Sequence, residues 1–419
     1  MRRISSIVLT AIIVSGLYSE PVAAQQEYGW RGPGRSGIYD ENGLLKKWPE
    51  GGPVMLWEAE GIGMGHSSAT VTSDAIYITG VKGENDVLTA FTLAGRKKWE
   101  VPYGKKSQSQ NYPESRCTPT FAYGKIFVVS GAGETTCIST EGKVLWSVDH
   151  YSKYGASVPR FGISESPLVV DNKVIVSPGG PKAAMVAFNV TNGNAVWETE
   201  SLGEGAQYVN PLLIDRSGKK LIITHTPTWI IAVNAADGKI LWKFNFKNVN
   251  DNPRNGSNYI QTPLYRDGFL FAANGYGQTA AKLKLYDDGR EPELVWKNPE
   301  INPHVGGMVL LGDYIYSSTH DNNSFGKWIC VDWKTGKTMW TTAWNNKGSI
   351  ISADGMLIIY EERHGNVALV RPNPEKLDIV SEFRVTKGTG PYWSHPVISK
   401  GVLYLRHGDF LFAYNIKES

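Results

Sequence analysis

The stretch AFNVTNGNAVW at residues 187–197 decides the fold, because the chain repeats it. Two further copies of the same length occupy residues 232–242 and 330–340, and in all three a glycine stands four residues before the closing tryptophan. Copies at 90–99 and 137–146 are one residue shorter and keep that glycine. Recurrence at a period of roughly 40 to 50 residues indicates a repeat architecture.

The residues before each copy predict further strands. Ahead of the 187–197 copy, apolar residues at 168–170 and 174–176 flank a turn at Asp171-Asn172. The copy itself supplies a third strand, an Asn-Gly turn and a fourth strand that ends in tryptophan. Four short strands per repeat are typical of one blade of a β-propeller.

The number of first strands gives the size of the ring. They are predicted to begin near Ala69, Pro119, Pro167, Pro211, Pro263, Met308, Ile350 and Pro396. The eighth repeat lacks its fourth strand, and residues 54–60, with Trp57 in the tryptophan position, can supply it. The sequence therefore predicts an all-β fold: an eight-bladed β-propeller of four-stranded blades, closed by an N-terminal strand that pairs with the last blade and leaves no open ring edge.

The N-terminal residues predict export. Residues 1–24 combine two arginines, an apolar run and small residues before Gln25, which is typical of a cleavable signal peptide. Residues 25–53 are expected to form an N-terminal extension, and 54–419 a single propeller domain. No cysteine follows the signal to carry a lipid, and no later apolar run is long enough to cross a bilayer. We expect a periplasmic or secreted protein without a membrane anchor.

The net charge argues against nucleic-acid binding, and the positions of the cysteines argue against disulfide bonds. The formal net charge of the 419 residues is only +3, which argues against a nucleic-acid partner. Cys137 and Cys330 fall in opposite blades, while Cys117 and Cys137 share a blade but are separated by a strand, so neither pair is expected to form a disulfide. Three buried free thiols are predicted.

The Ala-x-Asn-x-x-x-Gly-x-x-x-Trp unit resembles the repeat of the pyrroloquinoline quinone (PQQ) dehydrogenases, the quinoprotein propellers, and the likeness covers all eight blades. The opening WRGPGRSG at 30–37 is similar to the start of secreted PQQ-like propellers. A second resemblance is to the outer-membrane assembly scaffold, another eight-bladed propeller. In the dehydrogenases the quinone lies on a tryptophan beneath two adjacent disulfide-bonded cysteines. This chain has no adjacent cysteines, so no cofactor is expected, and PQQ with calcium belongs only to the dehydrogenase alternative.

Candidate functional residues stand just before the first strands, where differences between repeats mark added function. Reading round the ring, these positions hold His66, Arg116, Glu165, Asn210, Gln261, His304, Lys347 and His395. They should converge near the central channel, and ionisable groups gathered in a concave site are a default functional-site hypothesis. Solvated loop ends are the alternative, and Glu165 could simply pair with Arg116 or Arg160. No metal site is predicted: His66 and His395 come from neighbouring blades, but His304 belongs to blade 6, a quarter turn from blade 8. Calcium held by Glu165 and Asn210 is a comparable alternative.

Aromatic residues in the same loops, including Tyr208, Tyr259 and Trp393, favour a sugar ligand. We therefore expect an enzyme, a β-eliminating lyase or dehydratase that acts on uronate-containing oligosaccharides. His304 or His395 would act as base, Arg116 and Lys347 would bind the uronate carboxylate, and His66 completes the catalytic set. The predicted substrate-binding residues are Glu165, Arg160, Asn210, Gln261, Tyr208, Tyr259 and Trp393. The alternatives are a PQQ-dependent alcohol or sugar dehydrogenase and a non-catalytic binding or assembly-scaffold propeller; the sequence identifies no protein partner.

Overall fold

The computed structural model describes residues 28–250 and 258–418, and the predicted signal peptide at 1–24 lies outside them. Eight antiparallel sheets are arranged in a ring, which confirms the predicted eight-bladed β-propeller. Seven sheets have four strands, and the sheet of blade 7 gains a fifth from the N-terminal segment. Within the described ranges, no helix is both long and apolar enough to span a bilayer.

The N-terminal segment and the first four blades contain the following elements. Before blade 1 come a 3-10 turn, Pro33–Arg35, and strands β1 Ile38–Tyr39 and β2 Val54–Glu60. The strands of blades 1 to 4 are β3 Thr70–Val71, β4 Ile76–Lys82, β5 Asn85–Phe91, β6 Lys97–Lys105; β7 Thr120–Ala122, β8 Lys125–Val129, β9 Glu134–Ser139, β10 Val144–Asp149; β11 Leu168–Val170, β12 Lys173–Val176, β13 Val186–Asn189, β14 Ala195–Glu198; β15 Leu212–Arg216, β16 Lys219–His225, β17 Trp229–Asn234 and β18 Ile240–Asn245. A short helix, α1 His150–Tyr154, follows blade 2, and a 3-10 turn, Phe246–Val249, follows blade 4.

Blades 5 to 8 continue the same order. Their strands are β19 Leu264–Arg266, β20 Phe269–Ala272, β21 Ala280–Lys284, β22 Glu293–Asn298; β23 Met308–Leu311, β24 Tyr314–Ser318, β25 Trp328–Asp332, β26 Thr338–Thr342; β27 Gly348–Ala353, β28 Met356–Glu361, β29 Asn366–Arg371, β30 Asp378–Arg384; β31 Val397–Ser399, β32 Val402–His407 and β33 Phe410–Asn415. Blade 8 takes β2 as its fourth strand.

The two faces of the ring differ in their loops. Between first and second strands, most turns are two residues long with both residues at positive φ, such as Asp171 (46°) and Asn172 (60°). Such turns match the twist of the paired strands. Because antiparallel strands alternate in direction, loops that enter a first strand share the other face with loops between second and third strands. These loops are longer, and we call this side the mouth face.

The repeat glycine and tryptophan join neighbouring blades. A Cβ on Gly193 would lie 2.8 Å from the Trp146 ring of the preceding blade, so only glycine fits there. The Trp146 indole donates to the Val190 carbonyl of the same neighbour at 3.1 Å. Gly95, Gly142, Gly238 and Gly336 face a tryptophan of the preceding blade in the same way. The fixed spacing of glycine and tryptophan within each repeat therefore reflects packing between neighbouring repeats.

Strand β2 closes the ring as predicted. It pairs antiparallel with β33, placing Trp57 opposite Ala413. The Trp57 indole donates to the Leu93 carbonyl of blade 1 at 3.0 Å. Gly52, just before β2, faces Phe383, which stands in the tryptophan position of blade 7. Residues 52–60 therefore complete blade 8 and also contact both of its neighbours, blade 7 and blade 1.

Residues 28–39 fill the central channel, and we call them the plug. Tyr28 forms a β-bridge with Phe121 in the first strand of blade 2. Strand β1 runs parallel to β27, the first strand of blade 7. The buried Arg31 guanidinium donates to the carbonyls of Ile350 at 2.9 Å and Met308 at 2.5 Å. Backbone acceptors of several blades are therefore satisfied from inside the ring.

The core lies between blades, in apolar clusters made by the faces of adjacent sheets. Cys117, Cys137 and Cys330 are buried within it as free thiols, as predicted. Burial raises the pKa of each thiol to about 12.

Candidate functional site

A cavity of about 250 Å³ opens on the mouth face above the plug. It is lined by Trp30, His66, Tyr112, Arg116, Phe161, Ser164, Tyr208, Asn210, Asn258, Ile260, Tyr276, His304, Val305, Asn323, Glu362, Trp393 and His395. Both kinds of mouth loop contribute to it, and the plug contributes Trp30 as part of its floor.

Seven of the twelve predicted site residues line the cavity: His66, Arg116, Tyr208, Asn210, His304, Trp393 and His395. The structure brings them together from the loops that enter five blades. The other five, Arg160, Glu165, Tyr259, Gln261 and Lys347, are not among its lining residues.

His66 lies on one wall in an aromatic cluster. Its ring centroid is 4.9 Å from that of Trp393, and Trp393 is 4.6 Å from Tyr112. His66 Nε2 lies 3.6 Å from Glu114 Oε2. Burial lowers the pKa of His66 to about 4, while its contact with His66 lowers the pKa of Glu114. At neutral pH the pair is thus a neutral imidazole beside a carboxylate.

His304 lies on the other side of Trp393, 6.3 Å from it between ring centroids, beside two residues that were not predicted. Its Nε2 is 2.9 Å from the Tyr276 hydroxyl, and its ring centroid is 4.4 Å from that of His320. Burial, followed by the nearby charges, lowers the pKa of His304 well below its ordinary value and that of His320 to about 4. The Nδ1 atoms of both rings are buried without a hydrogen-bond partner. Two neutral imidazoles therefore stack here with unused polar atoms.

The guanidinium of Arg116 is the principal positive charge of the cavity without an ion-pair partner in the described part of the chain. Its Nη2 donates to the Tyr112 carbonyl at 2.7 Å, and its buried Nε has no partner. Burial lowers the pKa of the guanidinium, and Glu114 acts in the opposite direction. Among residues 28–250 and 258–418, no carboxylate lies within ion-pair distance of it.

Lys347 lies behind the cavity wall, fully buried against Glu362. Its Nζ is 2.9 Å from Glu362 Oε1 and donates to the Asn322 carbonyl at the same distance. Burial raises the pKa of Glu362, and Lys347 offsets part of that rise. Such a pair is costly to break, because either partner alone would be a buried charge. Lys347 is therefore committed to Glu362.

His395 joins the cavity floor to the plug. Its Nδ1 accepts from Arg31 Nη1 at 2.8 Å, and its Nε2 donates to the Val305 carbonyl at 2.9 Å. Trp30 packs edge-on against the same ring at 5.4 Å. Burial and Arg31 hold the pKa of His395 well below its ordinary value. Both ring nitrogens are therefore used in structure.

The remaining predicted residues have local partners. Glu165 accepts from the Ser177 amide and hydroxyl, each at 2.9 Å, and burial raises its pKa to about 7. Gln261 Nε2 donates to the His304 carbonyl, and Tyr259 stacks on His225. Asn210, although it lines the cavity, accepts from the Ser166 amide at 2.5 Å. Arg160 is exposed and lies over the Phe161 ring.

Tyr276, His320 and Glu362 escaped the sequence analysis because they follow second strands. The predicted site residues all come from loops that enter first strands. The signal was available: in a four-stranded meander, loops between second and third strands reach the same face. The loops between second and third strands hold Tyr276, His320 and Glu362 in blades 5, 6 and 7, and these differences between repeats are visible in the sequence.

Neither a metal nor a quinone is matched by these residues. Within the described ranges, no group of three or more His, Cys, Asp and Glu side chains could hold a metal ion. The three cysteines are buried in separate strands, so the adjacent pair of a quinone site cannot form. What the cavity does offer is an aromatic enclosure, neutral imidazoles and one unpaired guanidinium.

Comparison with known proteins identifies the family of this chain. Residues 83–342 match the family described as outer membrane protein assembly factor BamB. The BamB of Shewanella oneidensis is 21% identical over 312 residues, covering 71% of this chain and 72% of the relative.

Two solved structures share the fold. BamB from Moraxella catarrhalis matches with a TM-score of 0.62 at 12% identity, over 87% of this chain and 99% of that one. A quinohemoprotein alcohol dehydrogenase from Comamonas testosteroni matches with a TM-score of 0.67 at 10% identity, over 93% of this chain and 81% of that one. The predicted resemblance to PQQ-like repeat propellers is confirmed.

The predicted lyase or dehydratase is wrong, and so is its oligosaccharide partner. The matching family and the BamB of Shewanella oneidensis are assembly factors by name. A tetrathionate hydrolase of Acidianus ambivalens is 31% identical over 246 residues, which cover 51% of this chain and 43% of that protein, and the dehydrogenase is similar in fold alone. The geometry gives a physical reason: Lys347, assigned to a uronate carboxylate, is bound to Glu362, and His395, a proposed base, has both nitrogens occupied. The expectation that no cofactor is needed agrees with the assembly-factor relatives.

Proposed function

The chain belongs to the family described as outer membrane protein assembly factor BamB, and we propose that it is a non-catalytic scaffold propeller that binds a protein partner through its mouth face. The match over residues 83–342 carries this proposal, since it runs from blade 1 to the end of blade 6. It includes the loops that supply Arg116, Tyr208, Tyr276 and His304.

The distribution of loops supports the mouth face as the binding side. On the far face, most turns between first and second strands have two residues, and the loops between third and fourth strands carry the repeat glycines that pack against the preceding blade. The mouth face carries longer loops with exposed aromatic residues such as Tyr112, 44% exposed. Binding residues concentrate on loops held by a rigid scaffold. With the predicted signal at 1–24, the scaffold would work in the periplasm or outside the cell.

Site-specific photo-crosslinking tests the binding face. A photoreactive amino acid replaces Tyr112 at the mouth or, as the matched control, Val196, which is 50% exposed on the outer strand β14. In the native host we expect position 112, and not 196, to crosslink to an outer membrane assembly protein. Absence of a crosslink from 112, or equal yields from both positions, would contradict the proposal.

We also expect the protein to show no PQQ-dependent dehydrogenase activity. Purified protein mixed with PQQ, calcium and a panel of alcohols should reduce no dye, because the adjacent cysteines of a quinone site are missing. Sustained dye reduction that requires the quinone would overturn the non-catalytic assignment.

A further inference from the structure

We propose that the mouth cavity is a receptor for one carboxylate group, which the Arg116 guanidinium binds. The inference rests on the proposed function only for the source of that carboxylate, a segment of the partner protein. The binding chemistry follows from the cavity itself.

Most N–H donors of Arg116 have no acceptor among the described residues. A guanidinium has five N–H donors, and the structure assigns Arg116 one acceptor, the Tyr112 carbonyl. Its Nε is buried and unpaired. A partly buried cation that no carboxylate contacts is unfavourable, and a carboxylate is the group whose geometry matches the guanidinium fork.

Neighbouring side chains add donors. The Tyr208 hydroxyl already accepts from the Phe161 amide at 3.2 Å, so its own proton is free to donate elsewhere. If the Tyr276 hydroxyl donates to His304 Nε2, the neutral ring carries its proton on Nδ1, which has no acceptor. Tyr208 and Tyr276 both lie close enough to Arg116 to affect its pKa. Donors of three kinds thus face one space, and within the described ranges Arg116 has no carboxylate at ion-pair distance there.

Each acid of the cavity lies beside a basic side chain, although Oε2 of both Glu362 and Glu114 has no hydrogen-bond partner in the part of the chain that the structure describes. Glu362 is bound to Lys347, and Glu114 faces His66, 3.6 Å from its Nε2. The charges of Lys347 and Glu362 cancel, and Glu114 partly offsets Arg116 without contacting it. A ligand carboxylate would therefore give Arg116 the direct counter-ion that the described residues do not supply.

The walls define what carries the carboxylate. Tyr112, Trp393, Phe161 and Trp30 present aromatic surface, and the cavity of about 250 Å³ is smaller than the roughly 300 to 1,000 Å³ of typical drug-sized sites. The cavity fits one side chain or a small acid on an apolar skeleton. The plug closes it from below, so the ligand must come from the mouth face.

Calorimetry with two matched pairs of probes tests the inference. The free-acid arm compares phenylacetate with its uncharged amide, phenylacetamide. The peptide arm compares a capped peptide that contains one glutamate beside phenylalanine with the same peptide containing glutamine. We expect each acid to bind at least tenfold more tightly than its amide. Tighter binding of the glutamate peptide than of phenylacetate would identify a partner segment as the source; the reverse would identify a free acid.

Variants locate the binding. Arg116→Gln should lose at least tenfold in affinity for the acids, and Arg116→Lys, which keeps the charge and loses the fork, should fall between it and wild type. Arg160→Gln is the control, because Arg160 is exposed and does not line the cavity. Equal affinity of acid and amide, or unchanged binding by folded Arg116→Lys and Arg116→Gln, would overturn the inference.

The two proposals fail separately. Acid binding without crosslinks from position 112 would leave the carboxylate site standing and remove the scaffold function. Crosslinks from position 112 in a protein that binds none of the acids would remove the carboxylate site alone.

Discussion

At the scale of single residues, the buried arginine of the plug shows how a polar group can organise a channel. Arg31 is 2% exposed and donates to two carbonyls and one imidazole from blades 6, 7 and 8. No apolar residue could satisfy these acceptors, because each has lost its water. The plug is thus held by hydrogen bonds to the innermost strands.

Arg31→Ala should therefore be strongly destabilising. It would leave the acceptors on Met308, Ile350 and His395 unpaired, and we expect the free energy of unfolding to fall by about 2 to 4 kcal/mol. Urea denaturation followed by tryptophan fluorescence measures this. Arg96→Ala, at an exposed position, should change it by less than about 0.5 kcal/mol. A loss below about 1 kcal/mol for Arg31→Ala would show that the plug does not need these bonds.

A buried histidine should make the protein sensitive to acid. His225 stacks on Tyr259 at 4.9 Å, neither ring nitrogen has a partner, and burial lowers its pKa to about 3. Because the unfolded chain binds this proton below about pH 6.5 and the folded protein does not, stability rises with pH between about 3 and 6.5. The contribution is fully present above pH 6.5 and is lost as pH falls.

His225→Phe should remove this dependence. Relative to wild type, we expect the variant to gain about 2 kcal/mol at pH 5 over its difference at pH 8. Unfolding in urea at the two pH values provides the measurement. Tyr259→Phe, which alters the stacked neighbour without adding a group that titrates in this range, should show the same difference at both. A pH-independent effect of His225→Phe would mean that the imidazole is protonated in the folded protein.

At the scale of the elements, the repeat works through contacts between blades. Gly193→Ala tests this, because its Cβ would lie 2.8 Å from the Trp146 ring. Gly218→Ala is the matched control: both glycines have φ of 72°, but nothing lies within 4 Å of a Cβ at 218. In both variants a Cβ at positive φ lowers the free energy of unfolding by about 1 kcal/mol, and Gly193→Ala should lower it by about 1 to 3 kcal/mol more.

Thermal or urea unfolding of the two variants gives the difference directly. Equal losses would mean that the Trp146 ring moves aside at no cost, and the glycine would then be explained by its turn conformation alone. A larger loss at 193 would assign the repeat's fixed spacing to packing between neighbouring blades.

The blades could be predicted from the sequence because their elements repeat. Alternating apolar strands and turns at regular spacing give eight first strands, each within two residues of its predicted start. The plug could not be predicted, because its contacts join residues as distant as Arg31 and His395, and nothing in a single copy encodes them. The cavity was predicted in part for a related reason: only one of its two classes of loop was compared.

At the scale of the whole molecule, closure of the ring should make unfolding cooperative. In an open repeat array, each unit contacts only its neighbours, and unfolding can begin at an end. Here β2 joins the start of the chain to blade 8, and the Trp57 indole continues the contact to blade 1. The ring consequently has no terminal blade from which to unfold.

The thiols of opposite blades can report this cooperativity. Cys137 in blade 2 and Cys330 in blade 6 are fully buried, and burial raises the pKa of both to about 12, so neither should react until its blade opens. We expect both to be alkylated at the same rate at pH 8, with the same dependence on urea concentration. Mass spectrometry of the two peptides gives the rates.

Trp57→Ala is the informative variant for this experiment, since it removes the indole bond to Leu93 and the ring that faces Gly95 at the closing seam. If the ring opens as one unit, the variant accelerates both thiols by the same factor, although neither lies in the blades that form the seam. If Cys137 instead reacts more than tenfold faster than Cys330, with a weaker dependence on urea, the blades open locally and closure does not impose cooperativity.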